Sequence, residues 1–218
     1  MIGKLIVFEG VEGCGKTTQM QRSKQWLQCL LNSDAPSSVI VTREPGGTEL
    51  GLGLRRLLLS NDTETIQDRA ELLLYAADRA QHVEEVLKPQ LAKGAIVLCD
   101  RYTDSTIAYQ GYGRGLSKSV INQLNSIATG GLESNLTLWL DVDVEVSLAR
   151  TQKRGVADRI EQADLAFHRR VQQGYTELAK AYPERIVRVD ASLSKTAVQK
   201  QIQEILSQRV AQWYEGVR

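Results

Sequence analysis

Short apolar runs alternate with stretches of helical periodicity along most of the chain. Five of the runs are rich in strand-forming residues and predict buried strands: LIVFE, SVIVTRE, AIVLCD, LTLWLD and RIVRVD. In the stretch TTQMQRSKQWLQCLL, the spacing predicts a helix with Met20, Leu27, Leu30 and Leu31 facing inward. Strands and helices that alternate in this way favour an α/β fold, with a five-stranded parallel sheet covered by helices on both faces.

Acidic residues close these runs, among them Glu9, Glu44, Asp100 and Asp141. In an open parallel sheet the ligand lies outside the carboxyl ends of the strands. The pattern therefore predicts that functional groups gather at this edge of the sheet.

Two segments depart from simple alternation. In ELLLYAADRAQHVEEVLKPQLAKG, apolar residues surround the helix from Leu72 to Ala77, which predicts burial by the core together with a ligand or a partner subunit. In RTQKRGVADRIEQ, four cations flank Gly155: Arg150, Lys153, Arg154 and Arg159. This second segment is either a solvated helix end or a mobile basic lid, at about residues 150–162, that closes over phosphates.

The stretch FEGVEGCGKTTQ lies between the first strand and the helix after it. Its spacing, Gly10-x-x-x-x-Gly15-Lys16-Thr17, matches a phosphate-binding loop, in which backbone N–H groups wrap a polyphosphate at the start of a helix. The alternative is a glycine-rich turn with a surface lysine. We favour a P-loop NTPase fold, in which a polyphosphate would bind along one continuous segment: Gly10, Val11, Glu12, Gly13, Cys14, Gly15, Lys16, Thr17 and Thr18.

Phosphoryl transfer requires a cation near the phosphates and a metal site. Lys16 would reach the β- and γ-phosphates, Thr17 would offer its hydroxyl to Mg²⁺, and Asp100 would supply a metal-supporting carboxylate.

Two further segments at strand ends suit an anionic substrate. The segment TREPGGT is either an ordinary turn or an anion site that contains Arg43. The guanidinium of an arginine suits a phosphate or a base edge. DRYTDSTIAYQGYGRG gathers Arg101 with Tyr102, Tyr109 and Tyr112. These rings suit a nucleobase, although buried tyrosines also serve as plain core, and spacing alone leaves both open.

Composition narrows the possible partners and the location. The 218 residues carry 42% hydrophobic residues and no linker or repeat, which predicts one domain spanning residues 1–218. A net charge of +1 provides no global field for nucleic acid or membranes, so we expect neither as a partner. With three cysteines, no room for a signal sequence and no transmembrane run, we expect a cytoplasmic protein.

Taken in order, these segments resemble the thymidylate kinase family over nearly the whole chain. The matching pieces are FEGVEGCGKTTQ, TREPGGT, LLLYAADRAQH, DRYTDSTIAYQGYGRG, LDVDVEVSLARTQKRGVADRIE and VDAS. The resemblance implies transfer of the γ-phosphoryl group of ATP to dTMP with Mg²⁺, giving dTDP for dTTP synthesis. It also implies a homodimer packed through long helices.

The resemblance assigns roles to individual residues. Glu12 looks like the acidic residue directed at the deoxyribose 3′-hydroxyl, while Arg43 and Arg101 look like ligands of the dTMP phosphate. Tyr75 would stack on thymine, Arg79 and Thr106 would contact the base, and Tyr109 would crowd the 2′ position of the sugar. Arg150 resembles the arginine that lies against adenine, and Arg154 a catalytic lid residue. The implied catalytic set is Lys16, Arg154, Arg101 and Glu12.

Two finer expectations also follow from the resemblance. Glu44-Pro45 should be a cis peptide, as the corresponding bond of the family is. Some members carry an arginine directly after the acidic residue of the loop, whereas this chain has Gly13 there. The chain therefore resembles the bacterial branch, in which the lid supplies that charge.

Two other functions remain in competition. A GTP-binding switch protein would need a guanine-specifying Asn/Thr-Lys-x-Asp segment, which the sequence lacks. Among kinases, the alternative is an enzyme that acts on another nucleoside monophosphate or on a deoxynucleoside.

Overall fold

The computed structural model describes residues 3–31, 38–61, 66–152, 155 and 158–214. In these ranges five strands form a single sheet. Their bounds are β1 Lys4–Glu9, β2 Val39–Arg43, β3 Ile96–Asp100, β4 Leu136–Asp141 and β5 Ile186–Asp190. The order across the sheet is β2-β3-β1-β4-β5, and every neighbouring pair is parallel. The five-stranded parallel sheet predicted from the sequence is confirmed.

Helices connect the strands. They are α1 Lys16–Leu31, α2 Glu49–Leu59, α3 Asp68–His82, α4 Lys88–Ala92, α5 Thr103–Thr106, α6 Lys118–Thr129, α7 Val144–Gln152, α8 Leu165–Ala181 and α9 Lys195–Tyr214. A π-helical turn, Val83–Leu87, joins α3 to α4, and a second one, Ile107–Gly113, continues α5. The long helical segment predicted around Leu72 is thus α3 extended through a π-turn. No described helix is long and apolar enough to cross a membrane.

Two hydrophobic clusters cover the two faces of the sheet, as predicted. Side chains alternate along β1, because successive residues of a strand point to opposite faces. Ile6 and Phe8 join the larger cluster with α1, α8 and α9, whereas Leu5 and Val7 join a smaller cluster with Val83 and Leu87. The central strand is therefore buried on both sides, which explains its continuous apolar run.

One predicted orientation on the first helix is wrong. On α1, Met20 and Leu27 are buried as expected, but Leu30 is 42% exposed because the helix turns it away from the sheet. On α3, Leu72 is buried, whereas Leu73 is 55% exposed and Ala77 is also exposed. These two residues are open in the single chain, and their predicted burial by a ligand or a partner subunit stays a prediction.

Candidate active site

One cavity lies at the carboxyl edge of the sheet, where the acidic strand ends predicted it. Nine predicted site residues line this cavity: Glu12, Lys16, Arg43, Tyr75, Arg79, Asp100, Arg101, Thr106 and Tyr109. They come from the loop after β1, from the ends of β2 and β3, and from α1, α3, α5 and the second π-turn. Residues far apart in the sequence are thus brought around one space.

The phosphate loop joins β1 to α1, so the positive end of the α1 dipole faces the cavity. Lys16 is 6% exposed, and its Nζ donates to the carbonyl oxygens of Gly10 at 3.1 Å and Val11 at 3.3 Å. The ammonium also lies 3.7 Å from Cys14 Sγ. The lysine therefore folds back over the loop.

The loop glycines meet different steric demands. Gly15 has a φ of +102°, and a Cβ built there would meet no protein atom within 4 Å, so the open side is available to a ligand. Gly13 has a φ of +77°, and a Cβ there would lie 2.5 Å from the carbonyl oxygen of Ser147 on α7. Ser147 Oγ also donates to the carbonyl oxygen of Glu12. The loop therefore packs directly against α7.

Arg101 is held between two carboxylates and an aromatic wall. Its guanidinium donates to Glu12 and to the Tyr109 hydroxyl at 3.0 Å, and it lies 4.8 Å from the Tyr109 ring centroid. The fully buried Glu9 lies 3.8 Å away and accepts from the Tyr175 hydroxyl at 2.8 Å. Burial raises the pKa of Glu9 despite the opposing charge of Arg101. Arg101 has a φ of +71°, in the left-handed region, and this network holds it there.

The turn after β2 directs an arginine into the cavity. Glu44-Pro45 is a cis peptide, which confirms the prediction. Arg43 is exposed, and among the described residues it has no hydrogen-bond or ion-pair partner. Arg55 on α2 also lines the cavity and donates to the carbonyl oxygen of Pro45 at 3.0 Å. Two guanidinium groups are thus placed at this end.

Arg79 lines the cavity although only 2% of it is exposed. Its Nε donates to Glu44 at 2.8 Å, and its Nη1 donates to Thr106 at 2.9 Å and Asn125 at 2.8 Å. Nη2 donates to the carbonyl oxygen of Tyr102 at 2.9 Å. The guanidinium plane is therefore fixed by four bonds to the protein.

Asp100 is suited to support a hard cation. Its Oδ1 is buried and has no hydrogen-bond partner in the described chain. The described residues contain no group of three or more His, Cys, Asp or Glu side chains that could hold a metal by themselves. Mg²⁺ is commonly held by one or two protein oxygens together with substrate phosphates, and Asp100 with the exposed hydroxyl of Thr17 fits that arrangement.

The other predicted residues that the structure describes do not line this cavity. Arg150 lies at the end of α7, and its Nη1 donates to the carbonyl oxygen of Ala191, in the VDAS segment, at 3.4 Å. Lys153 and Arg154 lie outside the described residues. Arg159, at the far end of the predicted lid, donates to Glu71 on α3 and to the carbonyl oxygen of Leu58 at 3.0 Å.

Comparison with known proteins decides the family. The family model described as thymidylate kinase matches residues 8–202, which is most of the chain. The chain belongs to the thymidylate kinase family. A thymidylate kinase of Nostoc punctiforme is 70% identical over 208 residues, covering 94% of this chain and 96% of that protein. A thymidylate kinase of Trichodesmium erythraeum is 60% identical, covering 98% of this chain and 99% of that protein.

A solved structure agrees with the fold. The crystal structure of a thymidylate kinase from Ehrlichia chaffeensis superposes with a TM-score of 0.77 at 32% identity, covering 94% of this chain and 98% of that chain. The thymidylate kinase resemblance seen in the ordered motifs, including its bacterial character, is therefore confirmed.

Sequence reasoning missed several residues of this thymidylate kinase cavity. Arg55 lies in an ordinary amphipathic helix. The sequence shows it only as a cation twelve positions after Arg43, which does not indicate a place in the cavity. Ser105, Gln110, Asp158 and Ile160 also line the cavity. Tyr175, from α8, does not line the cavity but bonds the buried Glu9 and Arg101 beside it, and no local pattern distinguishes it from a core tyrosine.

Proposed function

We propose that this protein transfers the γ-phosphoryl group of ATP to dTMP. An oxygen of the dTMP phosphate attacks the γ-phosphorus, the bond from that phosphorus to the β–γ bridging oxygen breaks, and dTDP and ADP leave. The observation that carries this proposal is that the phosphate-loop lysine lines the same cavity as Arg43, Arg101 and the proposed base-facing residues. Membership of the thymidylate kinase family supports it further.

On the acceptor side, Arg43 and Arg101 hold the dTMP phosphate, and Glu12 reaches the 3′-hydroxyl of the sugar. Tyr75 stacks on the thymine, while Arg79 and Thr106 contact the base edge. Tyr109 closes the space beside the 2′ carbon. Support comes from the cavity, whose lining includes all of these side chains, and from the absence of a protein partner for Arg43 within the described residues.

On the donor side, the phosphate loop from Gly10 to Thr18 surrounds the ATP phosphates, and Arg150 lies against the adenine. Lys16 turns from the loop carbonyls toward the phosphates and, with Arg101, stabilises the charge that develops on the transferred group. Arg154, which lies outside the described residues, supplies the further cation from the lid. Thr17 and Asp100 would hold Mg²⁺, which neutralises phosphate charge when bound.

A coupled ADP-release assay tests the proposal. We expect turnover with dTMP well above that with dUMP, dGMP, AMP or thymidine. Preference for another monophosphate or for thymidine would support a different nucleotide or nucleoside kinase. Slow hydrolysis of GTP without any acceptor would instead support a switch protein.

We also propose a homodimer, since large apolar side chains are exposed on helices that pack side by side, α2 with α3 and α3 with α6. These side chains are Leu50, Leu52, Leu57, Leu73, Val120 and Ile127.

We propose further that residues 1–218 form one domain with a lid at about residues 150–162. A reducing, cytoplasmic location is consistent with three unpaired cysteines.

A further inference from the structure

A chain of buried polar side chains runs beneath the cavity, from the end of β2 to the base-facing arginine. The Thr42 hydroxyl lies 2.7 Å from His82 Nε2, and His82 Nδ1 lies 2.9 Å from Glu44 Oε1. The other oxygen of Glu44 accepts from Arg79 Nε at 2.8 Å. His82, Glu44 and Arg79 are each at most 3% exposed.

The proton positions along this chain follow from the donors and acceptors available. A carboxylate oxygen only accepts, so His82 Nδ1 donates to Glu44. An imidazole with its proton on Nδ1 then accepts the Thr42 hydroxyl at Nε2, which satisfies both ring nitrogens. One imidazole therefore bridges two side chains of β2 and its turn.

The turn is shaped around this ring. A Cβ built on Gly47 would lie 2.5 Å from His82 Cδ2 and 2.6 Å from its Nε2. The second glycine of PGGT is thus required by the imidazole, because any side chain there would displace it. The contact is independent of the hydrogen bonds and brings the turn backbone directly onto α3.

The placement of His82 connects the two substrate-facing arginines. Thr42 and Glu44 are the chain neighbours of Arg43, so their contacts with the imidazole fix the backbone on both sides of Arg43. Arg79 lies one helical turn before His82 on α3, and Glu44 joins the two side chains. His82 therefore determines where Arg43 lies relative to Arg79.

We propose that His82 is a positioning residue for nucleotide selection, acting through Glu44 to hold Arg79 against the base edge. The inference rests on the proposed function. Without the imidazole donor, the Glu44 carboxylate loses a hydrogen bond in a dry site and turns toward the other donors of Arg79. The guanidinium then leaves the plane that faces the base. Thymine presents a carbonyl oxygen where cytosine presents an amino group, so a fixed arginine there favours dTMP over dCMP.

Two substitutions at position 82 distinguish the contributions of the two ring nitrogens. His82→Asn places an amide near Nδ1 and keeps the donor to Glu44. His82→Gln places an amide near Nε2, keeps the Thr42 contact and removes the donor to Glu44. The measurements are KM for dTMP, KM for ATP, kcat, and the ratio of kcat/KM for dTMP to that for dCMP.

For His82→Gln we expect the dTMP KM to rise about tenfold and the dTMP:dCMP preference to fall about tenfold, with the ATP KM unchanged. For His82→Asn we expect both quantities to stay within about threefold of the wild type. The matched control is His168→Gln, since His168 is the other histidine of the chain, is 1% exposed and does not line the cavity. This control should leave the preference unchanged.

Should His82→Gln fail to fold, Glu44→Gln tests the same link, because its amide has one accepting oxygen where the carboxylate serves both His82 and Arg79, and it should lower the preference in the same way. If wild type uses dTMP and a folded His82→Gln or Glu44→Gln variant keeps the wild-type dTMP KM and dTMP:dCMP preference, the positioning role is refuted. A wild type that does not phosphorylate dTMP would overturn the proposed function, and this inference with it.

Discussion

The ring of Tyr109 lies against the guanidinium of Arg101, and only 6% of the residue is exposed. Its hydroxyl accepts from Arg101, so ring and hydroxyl have separable effects. Tyr109→Ala should raise the ratio of ribonucleotide to deoxyribonucleotide turnover by roughly tenfold, because the space beside the 2′ carbon opens.

Tyr109→Phe is the matched control for that substitution. It keeps the ring and should leave the sugar ratio unchanged, while weakening dTMP binding through the lost bond to Arg101. Competition between dTMP and the ribose form of the same nucleotide measures both variants. Equal ratios in the alanine and phenylalanine variants would exclude a steric role for the ring.

The charge of Arg154 can be tested although its position lies outside the described residues. Arg154→Ala should lower kcat by roughly 10²–10³-fold and leave the dTMP KM within a few-fold, because a cation at the transferred group acts mainly in the transition state. Lys153→Ala should have a much smaller effect. A near-normal kcat with a raised dTMP KM would show that Arg154 only holds substrate.

Asp78 carries a buried carboxylate whose Oδ1 accepts from the Gly46 amide at 2.9 Å. Burial raises its pKa to about 6; the hydrogen bond from the Gly46 amide and the charge of Arg79 oppose the rise, and the charge of Glu44 adds to it. A raised pKa means that the folded state holds the proton more tightly than the unfolded state. The resulting stability is present below about pH 4 and is lost as the pH rises through about 6.

Asp78→Asn should remove this dependence. From pH 4 to pH 7, the free energy of unfolding of the wild type should fall by about 1–2 kcal/mol relative to that of the variant. Urea denaturation at several pH values measures the difference between the two proteins, which cancels the contributions of other carboxylates. A difference that does not vary with pH would contradict the raised pKa.

Among the elements, Glu71 connects three separate parts of the chain. It accepts from Gln110 at 2.8 Å, from Arg114 at 3.1 Å and from Arg159, and it is fully buried. Although burial opposes its charge, these donors lower the pKa of Glu71. The far end of the predicted lid is thereby fastened to the first turn of α3.

Glu71→Gln should lower the free energy of unfolding by about 2–3 kcal/mol, because two half-buried arginines lose their shared carboxylate. Asp68→Asn is the control, since Asp68 lies 3.5 Å from the same Arg114 but is 48% exposed. That change should cost less than about 1 kcal/mol. Chemical denaturation at pH 7 compares the two, and similar losses would show that burial of the carboxylate is unimportant here.

Local patterns allowed the strands and the motifs at their ends to be predicted, because each motif directly follows an apolar run. The cavity could be predicted because parallel strands present their carboxyl ends at one edge. Contacts such as Glu71 with Arg159, 88 residues apart, could not. Which side chains contact each other over such a distance depends on how the helices pack. The same packing turns Leu30 outward and Arg55 toward the cavity.

For the whole molecule, the exposed apolar residues of α2, α3 and α6 make the oligomeric state testable. Burying such side chains in a dimer is favourable, whereas a charge in the interface would oppose association. We expect Leu73→Glu combined with Ile127→Glu to convert a dimer to a monomer at micromolar concentration. Leu193→Glu, at a site 46% exposed in the turn before α9, should remain dimeric. Sedimentation velocity measures the mass, and a monomeric wild type would exclude the dimer.

The close contact between Gly13 and α7 has an evolutionary consequence. An arginine at this position, as in some other family members, would strike the Ser147 carbonyl oxygen and Thr151 unless α7 first moved away. Exchange of Gly13 for arginine is therefore not a one-step path in this chain. The glycine and α7, the helix that leads to the proposed lid, must change together, so a steric barrier opposes the single substitution.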